Sequence, residues 1–325
     1  MHLNWLLAPL LAATIVATGS STFAQDYPGR SVTIVVPFTP GGSTDILARL
    51  FGQRLEQRLG KPFVIENRPG AGMQIGTVAV AKAAPDGYTL LLAPSSALAV
   101  NVTLYKKLPY DPLKDFAPVA LLAHLPFVLV VNPSLPVNSV ADLITLAKDK
   151  PGQLAFGSGG VGASHHLYGE LFKRLAGVEM THVPYKGTVP ALNDVIAGHI
   201  QVLFSDSPPA LPLIKAGKVK ALGVTTAKRI AVAPEIPPIA DTLPNYDSTP
   251  WQMLAAPSGT PSAIVDRLHG ETVAAIATPE VQKQLGEMGL VPGEATRPAE
   301  LQRFLESEIA RWGALVRQAG AAGIE

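Results

Sequence analysis

Apolar runs of strand length alternate along most of the chain with apolar positions at helical spacing. Val32-Thr33-Ile34-Val35-Val36 reads as a first strand. Ile46, Leu47, Leu50, Phe51, Leu55 and Leu59 then share one helical face and predict a helix over about 44–59. Gly60 ends it, and Pro62 lies just beyond. A second strand covers 63–66, a helix follows over about 73–83, and Pro85-Asp86-Gly87 turns into a strand over 88–92. This is one βαβαβ unit. The longest continuous apolar strand candidate is 125–131, and a second series begins after it. That series has helices over about 139–148, 164–176 and 190–197, and strands over 154–156, 180–183, 202–204 and 219–224. Residues 234–250 are rich in proline and irregular, and 251–255 starts a return segment. Helical patterns near 261–276, 279–287 and 298–318 close the chain. In the last, Leu301, Leu305, Ile309, Trp312 and Val316 form one apolar stripe, which is core.

Alternation of this kind predicts α/β architecture with mostly parallel strands. The late helices need a sheet to cover, so the connectivity is expected to be interrupted. One lobe would comprise 26–124 plus 250–325, and the other 125–249. Two crossings make a two-strand hinge, and the cleft between lobes is the natural ligand site.

The first 24 residues form a separate object. An apolar run over 6–17 is too short for a bilayer, which takes about 20 residues. Thr22 and Ala24 occupy the −3 and −1 positions of a small-residue cleavage site, so a signal peptide cut after Ala24 is expected. The weak n-region, without Lys or Arg, leaves an uncleaved anchor as the other reading. A periplasmic location follows from export. Composition narrows the picture further. Hydrophobic residues are 47% and charged residues 16% of 325, with a net charge of +1, which excludes disorder and a phosphate-binding basic footprint. There is no cysteine, so disulfides, thiolate metal sites and cysteine nucleophiles are impossible.

Two glycine-rich loops carry the candidate chemistry, each between a strand and a helix. The first runs through Phe38, Thr39, Pro40, Gly41, Gly42, Ser43, Thr44 and Asp45. Its glycines let the backbone approach a ligand, and the helix start offers free N–H groups and a positive dipole end. It has no Lys, so a carboxylate suits it better than a nucleotide phosphate. A plain capping turn is the alternative. The second loop runs from Phe156 to His166 and includes Gly159, Gly162, Ala163 and Ser164. Gly157, Gly159 and Gly162 also spell G-x-G-x-x-G, with Glu179 near the spacing of a ribose-binding acid. An exported dinucleotide-dependent oxidoreductase is therefore the rival. His165 and His166 lack a third ligand in pattern, so no metal is expected. No G-x-S-x-G is present, and a serine hydrolase is not indicated. Tyr185, Lys186 and Asp206 follow further strands and could line the cleft. Ser95 and Ser96 complete the ligand-binding candidates.

Ordered blocks along the mature chain resemble the tripartite tricarboxylate transporter substrate-binding proteins, the Bug family. They include Tyr27-Pro28-Gly29-Arg30, Val35 to Asp45, Glu66-Asn67-Arg68-Pro69-Gly70-Ala71-Gly72 and Pro85 to Leu90. Asp115 to Val119, His182 to Gly187, Ala216-Gly217-Lys218, Ala221 to Val224 and Ala256 to Pro261 continue the match. The resemblance implies a two-lobe periplasmic binding protein without catalysis or cofactor, monomeric, which captures a small organic acid for a two-component membrane permease. It implies a ligand carboxylate held between residues 38–45 and 159–164, with His166 at the family's common histidine. Ala163 stands where a hydroxyl side chain is common. Ser205 replaces a common aspartate, with Asp206 one step later, and His165 and Tyr168 occupy variable positions.

Overall fold

The computed structural model describes residues 27–246 and 249–324. The expected leader and its cleavage point lie outside them. The described elements run β1 (Val32–Val36), α1 (Ser43–Leu59), β2 (Phe63–Asn67), α2 (Gln74–Ala81), β3 (Thr89–Pro94), α3 (Asn101–Leu104), β4 (Phe116–His124) and β5 (Phe127–Val131). Then come α4 (Val140–Asp149), β6 (Ala155–Ser158), α5 (Ser164–Ala176), β7 (Thr181–Pro184), α6 (Thr188–Ala197), β8 (Val202–Asp206), α7 (Ser207–Lys215) and β9 (Lys220–Val224). The chain closes with β10 (Trp251–Pro257), α8 (Ser262–Ile276), α9 (Pro279–Glu287), β11 (Val291–Pro292) and α10 (Pro298–Gln318).

The strands form two sheets, ordered β11-β4-β10-β3-β1-β2 and β7-β6-β8-β5-β9. The chain leaves the first between β4 and β5 and returns between β9 and β10. Leu125 N donates to Pro250 O at 2.7 Å, which ties the two crossings together. The expectation of mostly parallel strands is corrected: five strand pairs are antiparallel and four parallel. The reason lies in the crossings. β5 and β10 each enter a sheet from the opposite end and insert antiparallel beside its parallel strands.

The helices lie where their apolar spacing puts them. α1 buries Leu47, Phe51 and Leu55, and Gly52 sits against Phe63 and Ile65 of β2. α10 buries Leu301, Leu305, Trp312 and Val316, the predicted stripe, with Ile309 half-buried. One polar group sits inside this packing. The Glu308 carboxylate accepts the indole N–H of Trp251 at 2.6 Å and of Trp312 at 2.9 Å, and Arg311 binds both its oxygens. Both indoles are buried, so each needs that acceptor. Glu308→Gln keeps one acceptor and loses the charge. We expect it to cost about 1–2 kcal/mol, read as a fall in the urea midpoint without a change in slope.

Candidate functional site

Three helices of this fold begin at one place. α1 follows the loop after β1, where Gly41 takes φ +90°, a conformation that disfavours a side chain. Gly41 N donates to Asp45 Oδ2 at 2.9 Å, and Asp45 Oδ1 accepts Arg49 at 2.9 Å and Asn67 Nδ2 at 3.0 Å. Asn67 Nδ2 also reaches Phe38 O at 3.0 Å. Burial works against the Asp45 charge, but Arg49, the Gly41 amide and Asn67 outweigh it and lower its pKa. Asp45 thus staples the loop from behind, with the α1 start facing the cleft.

α5 begins after the second glycine-rich loop. Ser158 Oγ bonds Gly160 O at 3.0 Å and lies 2.7 Å from His182 Nε2, and the His182 ring stacks on His166 at 4.2 Å. These residues support the loop from its far side. The N-cap position is Ala163, which has no side-chain oxygen. Ser96 supplies it from the other lobe: its Oγ accepts Ser164 N and lies 3.2 Å from Ser164 Oγ.

α6 begins at Thr188, and its start meets that of α1 through Asp206. Asp206 Oδ2 accepts Ser43 N at 2.8 Å, while Oδ1 accepts Thr188 Oγ1 at 2.6 Å and lies 3.2 Å from His165 Nε2. The residue is 2% exposed. Burial opposes its charge, yet His165, Ser43 and Thr188 together hold the carboxyl down at about 2. It is therefore an anion at any physiological pH.

Between these starts lies a narrow cleft lined from both sheets. Of the sequence-predicted site residues, Phe38, Gly42, Ser95, Ser96, Ser164 and Asp206 line it. The others are placed around it. Thr39 joins the lobes, its N donating to Lys186 O at 3.2 Å, and the Lys186 residue is exposed. Tyr185 points away, its hydroxyl donating to Asp194 Oδ2 at 2.6 Å; burial, then Asp194, raises its pKa to about 12. Gly41, Asp45, Gly159, Gly162, Ala163 and His166 shape or brace the loops without lining the cleft. Ser43 and Thr44, within the expected 38–45 loop, also line it, whereas the sequence reading missed Thr188 and Gln252 and left His165 at a variable position. Gln252 gave a signal, being the one polar residue in a seven-residue strand that is buried throughout. Both helix starts were expected to be free for a ligand. Instead, the first amide of α1 is taken by Asp206 and that of α5 by Ser96. Of two larger surface grooves, one meets the α4 start and the other the α8 and α10 starts, and neither gathers three.

The dinucleotide alternative fails on geometry. Glu179 precedes β7, whereas the glycine loop follows the carboxyl end of the parallel strand β6, so the two lie at opposite ends of the sheet. A cofactor pyrophosphate would also need room at Gly162, where Leu104 and Asn101 of the other lobe already sit. Among the described residues no three His, Asp or Glu side chains are grouped to hold a metal.

Comparison with known proteins places this cleft in context. Residues 47–321 match the family described as Tripartite tricarboxylate transporter family receptor. Protein BugT of Bordetella pertussis is 39% identical over 325 residues, covering 99% of each chain. The structure of R. palustris Rpa4515 with adipate is similar at a TM-score of 0.89 and 42% identity, covering 92% of this chain and 100% of that one. MatC (Rpa3494) from Rhodopseudomonas palustris, with bound malate, gives 0.85 and 35%, covering 89% and 100%. The match spans most of the chain and both sheets, so this chain belongs to the tripartite tricarboxylate transporter receptor family, a family of solute-binding receptors and not of enzymes.

Proposed function

We propose that the cleft captures a small carboxylate, which the protein carries through the periplasm as a monomer to a two-component membrane permease of the tripartite tricarboxylate type. The observation that carries this reading is the convergence of the α1, α5 and α6 starts on one cleft between two sheets. Helix starts offer N–H donors and a positive dipole end to an anion without any covalent chemistry. Charge-assisted hydrogen bonds contribute about 1.5–3 kcal/mol each, so a few of them reach micromolar affinity, about 8 kcal/mol. Relatives solved with adipate and malate support the ligand class. The leader read from 1–24 supports export, with cleavage near Ala24. Sheet membership supports a division into 26–124 with 250–325 and 125–249.

The test is a thermal-shift screen of the purified protein against aliphatic, hydroxy, amino and aromatic acids at neutral pH. A ligand present at 100 times its Kd will stabilise the protein by about 2.7 kcal/mol. Silence across the whole panel at millimolar concentration, confirmed by calorimetry, removes the reading.

A further inference from the structure

Asp206 occupies the position from which an aspartate ordinarily caps its own helix, here α7. It makes no such bond. The residues that follow are Ser207, Pro208 and Pro209, and the two prolines have no N–H at the second and third helical positions where a cap would bond. The carboxylate turns instead across the cleft to Ser43 N, so a negative group of the protein already holds the α1 start. No Lys or Arg lines the cleft to offset a further charge. Three other lining residues carry a buried polar atom without a partner, His165 Nδ1 among them, and the other two point to what is missing. Ser95 and Gln252 are 0% and 3% exposed, and Ser95 Oγ and Gln252 Oε1 have no hydrogen-bond partner. Gln252 Nε2 is engaged by Thr44 Oγ1 at 2.9 Å, which leaves Oε1 as an acceptor in need of a donor.

We infer that the cleft selects an acid with one carboxylate and a hydrogen-bond donor at its other end, a hydroxyl or an ammonium, and that Asp206 sets this preference. The inference refines the carboxylate reading above and rests on it. A second ligand carboxylate would share the cleft with Asp206 and meet no Lys or Arg there, and His165, the nearest basic group, is already at 3.2 Å from Asp206, which disfavours it. A ligand donor would supply the bond that Gln252 Oε1 lacks, while the Ser95 hydroxyl can accept from it or donate to the ligand. The single carboxylate lies at the α5 side, where the first amide is held by Ser96 and the Ser96 and Ser164 hydroxyls remain as donors.

Matched acids test this by calorimetry at pH 7.5. On four-carbon, six-carbon and benzene-ring scaffolds, the far position carries hydrogen, hydroxyl, ammonium or a second carboxylate. On the scaffold that fits, the hydroxyl or ammonium acid will bind at least tenfold tighter than both the dicarboxylate and the plain acid, and the two arms identify the donor. In Asp206→Asn, checked for folding by circular dichroism, the dicarboxylate gains at least tenfold. A dicarboxylate or plain acid that binds the natural protein as tightly as the donor-bearing acid overturns the inference and leaves carboxylate capture standing. An unchanged ranking in folded Asp206→Asn overturns the role of that residue. If the variant does not fold, the ranking on the natural protein decides. Silence of every acid in the set removes both readings.

Discussion

Gly162→Ala will weaken ligand binding by tenfold or more and lower the melting temperature by several degrees. Two separate effects produce these results. Gly162 has φ +82°, where an alanine costs about 1–2 kcal/mol in any state that keeps the loop. The second effect depends on the lobes being together. A methyl group at Gly162 would collide with Leu104 Cδ2 and stand 2.8 Å from Asn101 Oδ1, both on the opposite lobe. Overpacking of that kind costs about 1–3 kcal/mol wherever the lobes meet as they do here. The backbone strain therefore lowers stability, while the collision lowers affinity. Gly177→Ala separates them. Gly177 ends α5 at φ +63° and has open space where a methyl group would stand, so that variant will lose stability and keep its Kd. Equal Kd values for Gly162→Ala and the natural protein would show that the contact with Leu104 and Asn101 is absent from the bound form.

The legible parts of this fold are those whose signal is local. Val32–Val36 and Pro298–Gln318 were read to the residue, because an apolar run between polar flanks and a long stripe at helical period each have one reading. β4 was missed. It reads Phe-Ala-Pro-Val-Ala-Leu-Leu-Ala-His, with Pro118 within it, and its apolar run resumes in β5. The cut between them falls at polar His124, where the chain crosses from one sheet to the other, so the boundary was legible although the strand before it was not. α7 was missed because Pro208, Pro209 and Pro212 argue against a helix, yet two of these sit in the first turn, where N–H groups have no intrahelical partner. The same logic divides the site. The glycine-rich loops announced two helix starts, a local feature. The destination of the Asp206 carboxylate depends on Ser43, 163 positions earlier, and only the folded chain brings them together. His166 was legible as a site candidate, and in the fold its ring stacks on His182 beside the loop and is not among the residues around the cleft.

That bracing makes the protein sensitive to acid. Burial lowers the pKa of His182 to about 3, and the charges of His166 and Lys173 act in the same direction. The ring stacks between Phe156 at 4.9 Å and His166 at 4.2 Å, with its Nε2 2.7 Å from Ser158 Oγ. His166 is itself lowered by burial, partly offset by Glu170, whose carboxylate also holds Lys173. The folded state therefore keeps both rings neutral. The unfolded chain binds the His182 proton as pH falls below about 6.5, and the folded chain does so only near 3, so stability present at neutral pH is lost through that window. Between pH 7 and 4.5 the loss from His182 comes to about 3 kcal/mol, at 1.36 kcal/mol per unit. Melting should fall by about 6–12 °C at 2–4 °C per kcal/mol. His182→Gln keeps a polar atom for Ser158 and cannot titrate, so its melting temperature will change much less over the same range. His166→Gln will remove a smaller part of the slope, because Glu170 already offsets some of the burial. Parallel slopes for the natural protein and His182→Gln would place the acid sensitivity elsewhere. Because Ser158 and His182 shape the loop that presents the α5 start, ligand affinity should weaken with stability as the pH falls, and in His182→Gln the pH dependence of both should shrink together.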